Sequence, residues 1–500
     1  MEPSSNKNAV TSIDHSKISH YKRNIFAWSL YDLANTIYSM GVVSLMILPL
    51  IAILAISNEV GVAPSEIIDG TLDVSKDDFK DGFNRANLLF GIIVFIGSVL
   101  MAIISPLLGA FADQLTKRKY FLSIVTIFCL TFIYLLAARL TIFWVLGFFL
   151  LANIAYQTGL VIYDSMLPFI AKPNDVSKAG GFGIAFGYFG SFIAIGIAFV
   201  MAGDGDMFIL SEDDLQISLG IIPDYFPIVA LFFFLFGLPL LFVQEARTSR
   251  AKRGFRETSS ETVKTLKVTA REIVNYDDTK YFLIGWLLFV DTANTIIAFM
   301  SIIITVGLGL ESEMVFTVLG IGIASAVIFT YPVGYLGDRI GPKKNFYLVG
   351  SLWLLAIIIG VLTNITLLGT KTPEYLALFV GLVVGPALGG TWVAQRQMII
   401  QLAPVDRTSN YFGFANVFGR ISSAFGPFVW FIAIFIMTEL IGFSTSGSIR
   451  LTMLLLGVIL IYGLTLISKV TDVHKNYLEG SRHVGNGVWK DKDGEIISLK

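Results

Sequence analysis

The sequence predicts an all-α membrane protein whose twelve transmembrane helices form two parallel six-helix repeats. Three observations carry that prediction. Hydrophobic residues make up 55% of the 500-residue chain, and its mean hydropathy is +0.73. Charged residues are only 15%, too few to cover a soluble surface of this size, and they gather in short runs between apolar stretches long enough to cross about 30 Å of hydrocarbon as helices. Finally, LYDLANTIYS at 30–39 returns as FVDTANTIIA at 289–298.

The first span, 25–55, follows a polar tail (1–24) and far exceeds a signal-peptide core, so it reads as a retained helix. Spans two and three, 86–112 and 120–138, flank the charged turn DQLTKRK. The fourth, 142–171, carries Asn153, Gln157 and Asp164; the fifth, 180–203, carries Gly180, Gly183, Gly187 and Gly190 at helical spacing, a pattern suited to close packing. The sixth, 226–243, follows an acidic loop, 204–224. These six form a bundle over 25–243. The linker 244–280 opens QEARTSRAKRGFR and then places Val263, Leu266, Ala270, Ile273 and Val274 at helical spacing, which predicts an amphipathic helix on the membrane face. The second bundle, 281–468, contains spans 281–306, 314–337, 345–367, 375–403, 411–437 and 450–468. The remaining tail, 469–500, is polar and is expected to be mobile from 471 onward, with no function of its own.

Lys and Arg set the orientation. With a cytoplasmic N-terminus, 28 of the 36 basic residues fall in the tails and the loops of that side. Both termini are therefore expected in the cytoplasm, and the membrane is expected to be the cell membrane, or the vacuolar membrane in a eukaryote. The single cysteine, Cys129, lies in an apolar run, and all four histidines lie in the tails. No disulfide framework, metal site or cofactor is expected, and no Gly-Lys dipeptide exists to build the usual phosphate loop. These absences argue against an enzyme. The expected partners are the bilayer, a small solute and a proton or sodium ion, with no nucleic acid, and the chain is expected to act as a monomer.

From Asp32 to Ile37 and from Asp291 to Ile296, five of six residues are identical. GAFADQLTKRK (109–119) is echoed by GYLGDRIGPKK (334–344), and FGIAFGYFGS (182–191) more weakly by FGFANVFGRIS (412–422). Each echo joins span n to span n+6 in the same direction. Transporters use such parallel repeats to rock around a central site.

Five charges lie within the spans: Asp32, Asp164, Asp291, Arg396 and Arg420. Each costs at least about 2.5 kcal/mol at the bilayer centre, which makes it a functional candidate. Helical spacing puts Asp32 on one face with Asn35 and Thr36, Asp291 with Asn294 and Thr295, Asp164 with Asn153 and Gln157, and Arg420 with Asn416. Structural ion pairs between helices are the plain alternative, but three carboxylates against two guanidiniums leave one anion over. An Asp pulled between desolvation and a nearby Arg can take up a proton or a small cation. Asp32 and Asp164, both in the first half, are the candidate ion-coupling pair. Arg396 and Arg420 suit a substrate carboxylate, and Asp291, grouped with them in the second half, suits a basic group. Asn35, Asn153, Gln157, Asn294 and Asn416 complete the candidate binding set.

GYLGDRIGPKK resembles the signature loop of the major facilitator superfamily, between helices 2 and 3 of each half. That resemblance implies helices 1, 4, 7 and 10 around a central cavity, and a gate built from Gly109, Asp113, Arg118, Gly334, Asp338, Arg339 and Lys343. Asp113 and Asp338 end their helices, where the macrodipole disfavours an anion, so each needs a partner such as a helix N-terminus in the other half or a basic residue. Within the superfamily, YDLANTIYS, YDSMLP (163–168) and GYFGSF (187–192) are similar to blocks of the autophagy-related vacuole effluxer family. So is the stretch GG…AQRQMIIQLAP…YFGFANVFGR…FGP (389–427). Asp164 stands where that family has Asn, and AQRQ where it has Ala-x-Ser-Arg-Ser. The leading reading is a secondary transporter of a small polar solute, an amino acid or peptide, by alternating access. A sugar or organic-anion carrier, with Trp28 among the groups that hold hydroxyls, is the alternative. A non-transporting receptor or lipid scramblase on the same fold is the alternative of another class.

Overall fold

A computed structural model describes residues 18, 20–64, 76–138, 141–202, 215–246, 255–367, 370–485 and 487–497. Most of the first tail, the acidic loop 204–214 and the basic run 247–254 lie outside the described residues. Twelve described helices are long and apolar enough to cross a membrane. They are α1 (Tyr21–Val60), α2 (Lys76–Asp113), α3 (Arg118–Leu135), α4 (Ile142–Ile170), α5 (Val176–Ala202) and α6 (Leu215–Gly237), then α7 (Asp277–Ala298), α8 (Ser312–Ile340), α9 (Pro342–Leu362), α10 (Leu376–Leu402), α11 (Thr408–Phe435) and α12 (Thr445–Ser468). A two-rung hairpin, β1 (Thr366–Leu367) with β2 (Thr370–Lys371), joins α9 to α10.

The repeat extends to the irregularities of its helices. α1 widens into π-helical turns over Ser39–Met46, just beyond the Asp-x-Ala-Asn-Thr run. α7 breaks after the same run, at Phe299, and resumes as a π-helical turn over Ile303–Gly307. Such turns shift side chains out of the regular register and mark functional stretches of a helix. The two halves meet along α5 against α8 and α2 against α11.

The linker contains the expected helix, Phe255–Asn275, but its stripe is divided. Val263 and Val274 face outward, whereas Ile273 turns inward with Thr262, Thr265, Thr269 and Glu272. The second tail corrects the expectation of mobility. A short helix, His474–Leu478, leads into an antiparallel sheet in the order β3 (Arg482–Gly485), β4 (Val488–Lys490), β5 (Ile496–Ile497). Trp489 and Tyr477 are buried, and Glu272 of the linker helix pairs with Arg407, ahead of α11, and lies 3.6 Å from His483. The polar composition misleads because the segment buries two aromatic rings and ties down its polar groups, Arg482 on the Tyr477 carbonyl and His483 on that of Leu402.

Candidate functional site

The face carrying the linker helix and second tail is closed by two symmetric contacts. Asp113 ends α2, and its carboxylate accepts from the backbone N–H groups of Ser409 (2.9 Å) and Asn410 (2.8 Å) in the first turn of α11. Asp338, near the end of α8, accepts from Ser177 (2.7 Å) and Lys178 (2.8 Å) in the first turn of α5. Each anion thus leaves an unfavourable C-terminal field for the N-terminus of a helix in the opposite half. Glycine permits the approach. A Cβ on Gly109 would lie 2.3 Å from the Ser409 carbonyl oxygen, and one on Gly334 2.5 Å from that of Ser177.

The basic residues of the two copies diverge. Arg118 pairs with Asp113 at 3.0 Å and donates through Nε to Ser409 Oγ at 2.9 Å. Its counterpart Lys343 instead donates to the Val470 carbonyl at 2.7 Å, tying down the tail. Arg339 is exposed and leans on Tyr335. Asp338 therefore relies on backbone donors.

Deeper in the seam, Arg396 of α10 reaches across to the first half. Its Nε lies 2.8 Å from Asp164 Oδ1 and its Nη1 3.4 Å from Asp32 Oδ2. The grouping of Arg396 with Asp291 is thereby corrected. α10 packs on α5 across the seam, which turns Arg396 toward the carboxylates of α1 and α4. One fork of five N–H donors serves both anions. Trp28 and Tyr163 stack at 4.3 Å beside it, with the guanidinium 5.9 and 5.5 Å from their rings. The indole N–H of Trp28 donates to the Tyr163 carbonyl, so Trp28 is spent on packing and corrects its expected role as a solute contact. Gly183 lets α5 close over this layer, since a Cβ there would meet Trp28 at 2.9 Å and Asp32 Oδ2 at 3.4 Å.

Next to the triad, a cavity of about 260 Å³ lies between the halves. Gln157 and Asp164 of α4 line one wall, and Asn294, Gln395, Asn416 and Arg420 the other, with Trp286 and Trp392 between. Arg420 donates to Gln157 Oε1 across the seam and to Asn416 Oδ1 at 3.3 Å. Among the described residues no carboxylate pairs with it. Ser423 lines the cavity too, on the helical face that the sequence gives to Asn416 and Arg420, whereas Trp286, Trp392 and Gln395 were not singled out from sequence; Trp286 lies one turn before Val290, which also lines the cavity.

Three predicted residues lie elsewhere. Asn153 stands beside Gln157, 3.5 Å away, on the side facing Gly97 of α2. Asn35 is buried with neither amide atom hydrogen-bonded. Asp291 does not line the cavity; it faces Ser422 and Gly426 of α11.

The tail bears on the closed face. His474 Nε2 donates to the Asp338 carbonyl (3.0 Å), and its Nδ1 accepts from the Gln401 amide (2.9 Å). His483 Nδ1 donates to the Leu402 carbonyl (2.7 Å), and its Nε2 accepts from Gly487 N–H (3.1 Å). Both imidazoles are neutral in these roles, and burial holds both below the usual histidine pKa.

A family model described as Major Facilitator Superfamily matches residues 31–427. An uncharacterized protein of Aquifex aeolicus (strain VF5) is 27% identical over 359 residues, 71% of this chain and 80% of that protein. The uncharacterized MFS-type transporter YxiO of Bacillus subtilis (strain 168) is 24% identical over 441 residues, 87% of this chain and 93% of its own length. Among solved structures, the human organic anion transporter MFSD10 (TETRAN) superposes with a TM-score of 0.60 at 15% identity, covering 90% of this chain and all of that one.

Proposed function

Because this chain belongs to the major facilitator superfamily, and is on that ground a secondary transporter and not an enzyme, we propose that its solute is a small zwitterion, an amino acid or short peptide. The observation that carries this reading is Arg420, a guanidinium on the cavity wall with no carboxylate partner among the described residues. Such a fork holds a carboxylate through two parallel hydrogen bonds. Asp164, on the opposite wall, offers an anion to the solute's ammonium group.

Asp32 and Asp164 form the coupling pair, and the ion is a proton. Arg396 belongs to one half and both carboxylates to the other, so rocking of the halves withdraws their shared countercharge. Two close carboxylates without it resist ionising together, and one takes up a proton. Opening toward the linker side thereby becomes linked to proton uptake or release. Asp113 and Asp338, with Gly109, Arg118 and Gly334, form the gate on that side. The excess of Lys and Arg there favours the cytoplasm. The chain works as a monomer in a cell membrane. The likeness of its Asp-x-Ala-Asn-Thr run to the vacuole effluxers favours an amino acid.

One observation favours a second reading. Arg396 serves both Asp32 and Asp164, which leaves Arg420 as the uncompensated charge of the cavity and suits an organic anion. Counterflow in proteoliposomes with amino acids, their N-acetyl forms and their esters separates the two. A zwitterion carrier loses both derivatives, an anion carrier loses only the esters, and indifference to either change removes both readings.

A further inference from the structure

Asp291 is the intramembrane charge that the coupling pair and the cavity leave unused. It is 0% exposed, and neither carboxylate oxygen has a hydrogen bond of ordinary geometry, although the Ser422 hydroxyl and the Gly426 backbone N–H lie against it. Two hydroxyls beside it are in the same condition. Thr295, one turn further along α7, and Ser422 of α11 are each 1% exposed, and neither Oγ has a partner. Gly426 brings these oxygens together, since a Cβ there would lie 2.0 Å from Thr295 Oγ1 and 2.9 Å from Asp291 Oδ1. By contrast, Thr292, on the other side of α7, is satisfied by the Leu456 carbonyl at 3.0 Å. Neither Arg396 nor Arg420 pairs with Asp291.

An ionised carboxylate buried without hydrogen bond or countercharge costs several kcal/mol, so this cluster requires a positive ligand. We propose that Asp291, Thr295 and Ser422 form a binding site for a hard monovalent metal cation, sodium, separate from the Asp32–Asp164 pair. A proton would let the carboxyl donate to one hydroxyl and accept from the other, and is the competing occupant, whereas a cation is held by all three oxygens at once. Hard cations select oxygen ligands. One carboxylate neutralises one charge, and a divalent ion would leave a buried positive charge. The backbone supports the assignment. α7 breaks at Phe299, one turn beyond Thr295, and interrupted helices use such breaks to present carbonyls to ions. Phe299 stacks on Trp430 at 4.8 Å, covering the cluster on that side. The sequence neighbours of Thr295 and Ser422, namely Asn294 and Ser423, line the cavity, which places the cluster on the adjoining faces of α7 and α11.

The test is equilibrium binding of radioactive sodium to the purified full chain, with melting temperature in sodium and in choline as a second readout. Wild type should bind sodium saturably, lithium should compete, potassium should not, and sodium should raise the melting temperature. Asp291→Asn should raise the half-saturating sodium concentration at least about tenfold, the lower end of what loss of a supporting partner already costs a metal site. Thr295→Val and Ser422→Ala should each weaken binding while Thr295→Ser retains it, and these decide the matter if Asp291→Asn does not fold. Absence of saturable binding in wild type, unchanged affinity in the folded variants, or stabilisation by protons with no effect of sodium would each overturn the assignment.

Discussion

Replacing Asp338 by Asn should open the linker face without unfolding the chain. The carboxylate receives two backbone N–H bonds, at 2.7 and 2.8 Å, and bonds to a charged group contribute about 1.5–3 kcal/mol each. Asn keeps one acceptor oxygen at neutral strength, about 1 kcal/mol, and turns its NH₂ toward a second donor. Asp338 is only partly buried, so solvent screening places the loss at the lower end, about 2 kcal/mol. That is roughly a thirtyfold change in the ratio of closed to open. Asp113→Asn is a less clean perturbation, because it also strips Arg118 of its ion pair. The assay introduces a cysteine at Leu160 or Ala415, which line the cavity, in a background with Cys129 replaced by Ser. A membrane-impermeant maleimide is then added to sealed vesicles that present the linker face. Asp338→Asn should label about thirtyfold faster than its parent while the open fraction is small. Equal rates in two proteins of equal melting temperature would refute the gate.

The same face should open without any change of charge in Gly109→Ala or Gly334→Ala, whose methyl groups would fall 2.3 and 2.5 Å from opposing carbonyl oxygens; labelling unchanged from the parent would mean the crossings relax instead. Arg420→Lys should raise KM for a solute carboxylate by about tenfold, because an ammonium cannot form the planar fork, and the ester should then fare no worse than the acid in the variant. Docking of the second tail should weaken in acid. His474 and His483 are held below their ordinary pKa by burial, so the docked tail keeps its full stability above about pH 6.5 and loses it as pH falls below that value. Between pH 7.5 and 5.5 the loss reaches at most about 1.4 kcal/mol per histidine. A spin label at Lys492 should gain mobility over that range, and a spectrum independent of pH would contradict the assignment.

The spans, the repeat and the two helix-end acids Asp113 and Asp338 are legible in the sequence because each is a local property: hydropathy, a recurring word, an acid at the end of a helix. The partner of Arg396 is not. Spacing places a side chain on a face of its own helix but does not say which helix of the other half it meets, and Arg396 crosses to Asp32 and Asp164. Composition hides the second tail for a different reason. Its burial rests on Trp489, Tyr477 and the two imidazoles, and His474 and His483 reach the Asp338 and Leu402 carbonyls more than 60 residues away along the chain. The Gly-Asn-Gly at 485–487 between two short runs is the hairpin signal that was available, and Gly485 and Gly487 adopt φ of +112° and +73° there. The two Asp-x-Ala-Asn-Thr copies read alike, yet Asp32 meets a guanidinium and Asp291 meets hydroxyls, a difference decided wholly by the helices packed against them.

Coupling through the Asp32–Arg396–Asp164 layer is the central claim, and one paired measurement in proteoliposomes tests it most directly. Asp32→Asn is compared with wild type for accumulation of solute under an imposed pH gradient and for exchange of solute at equal concentrations on both sides. Wild type should do both, whereas Asp32→Asn should exchange at near wild-type rate and fail to accumulate, because one carboxyl can no longer release a proton when Arg396 returns. Accumulation against a gradient by Asp32→Asn would contradict the account.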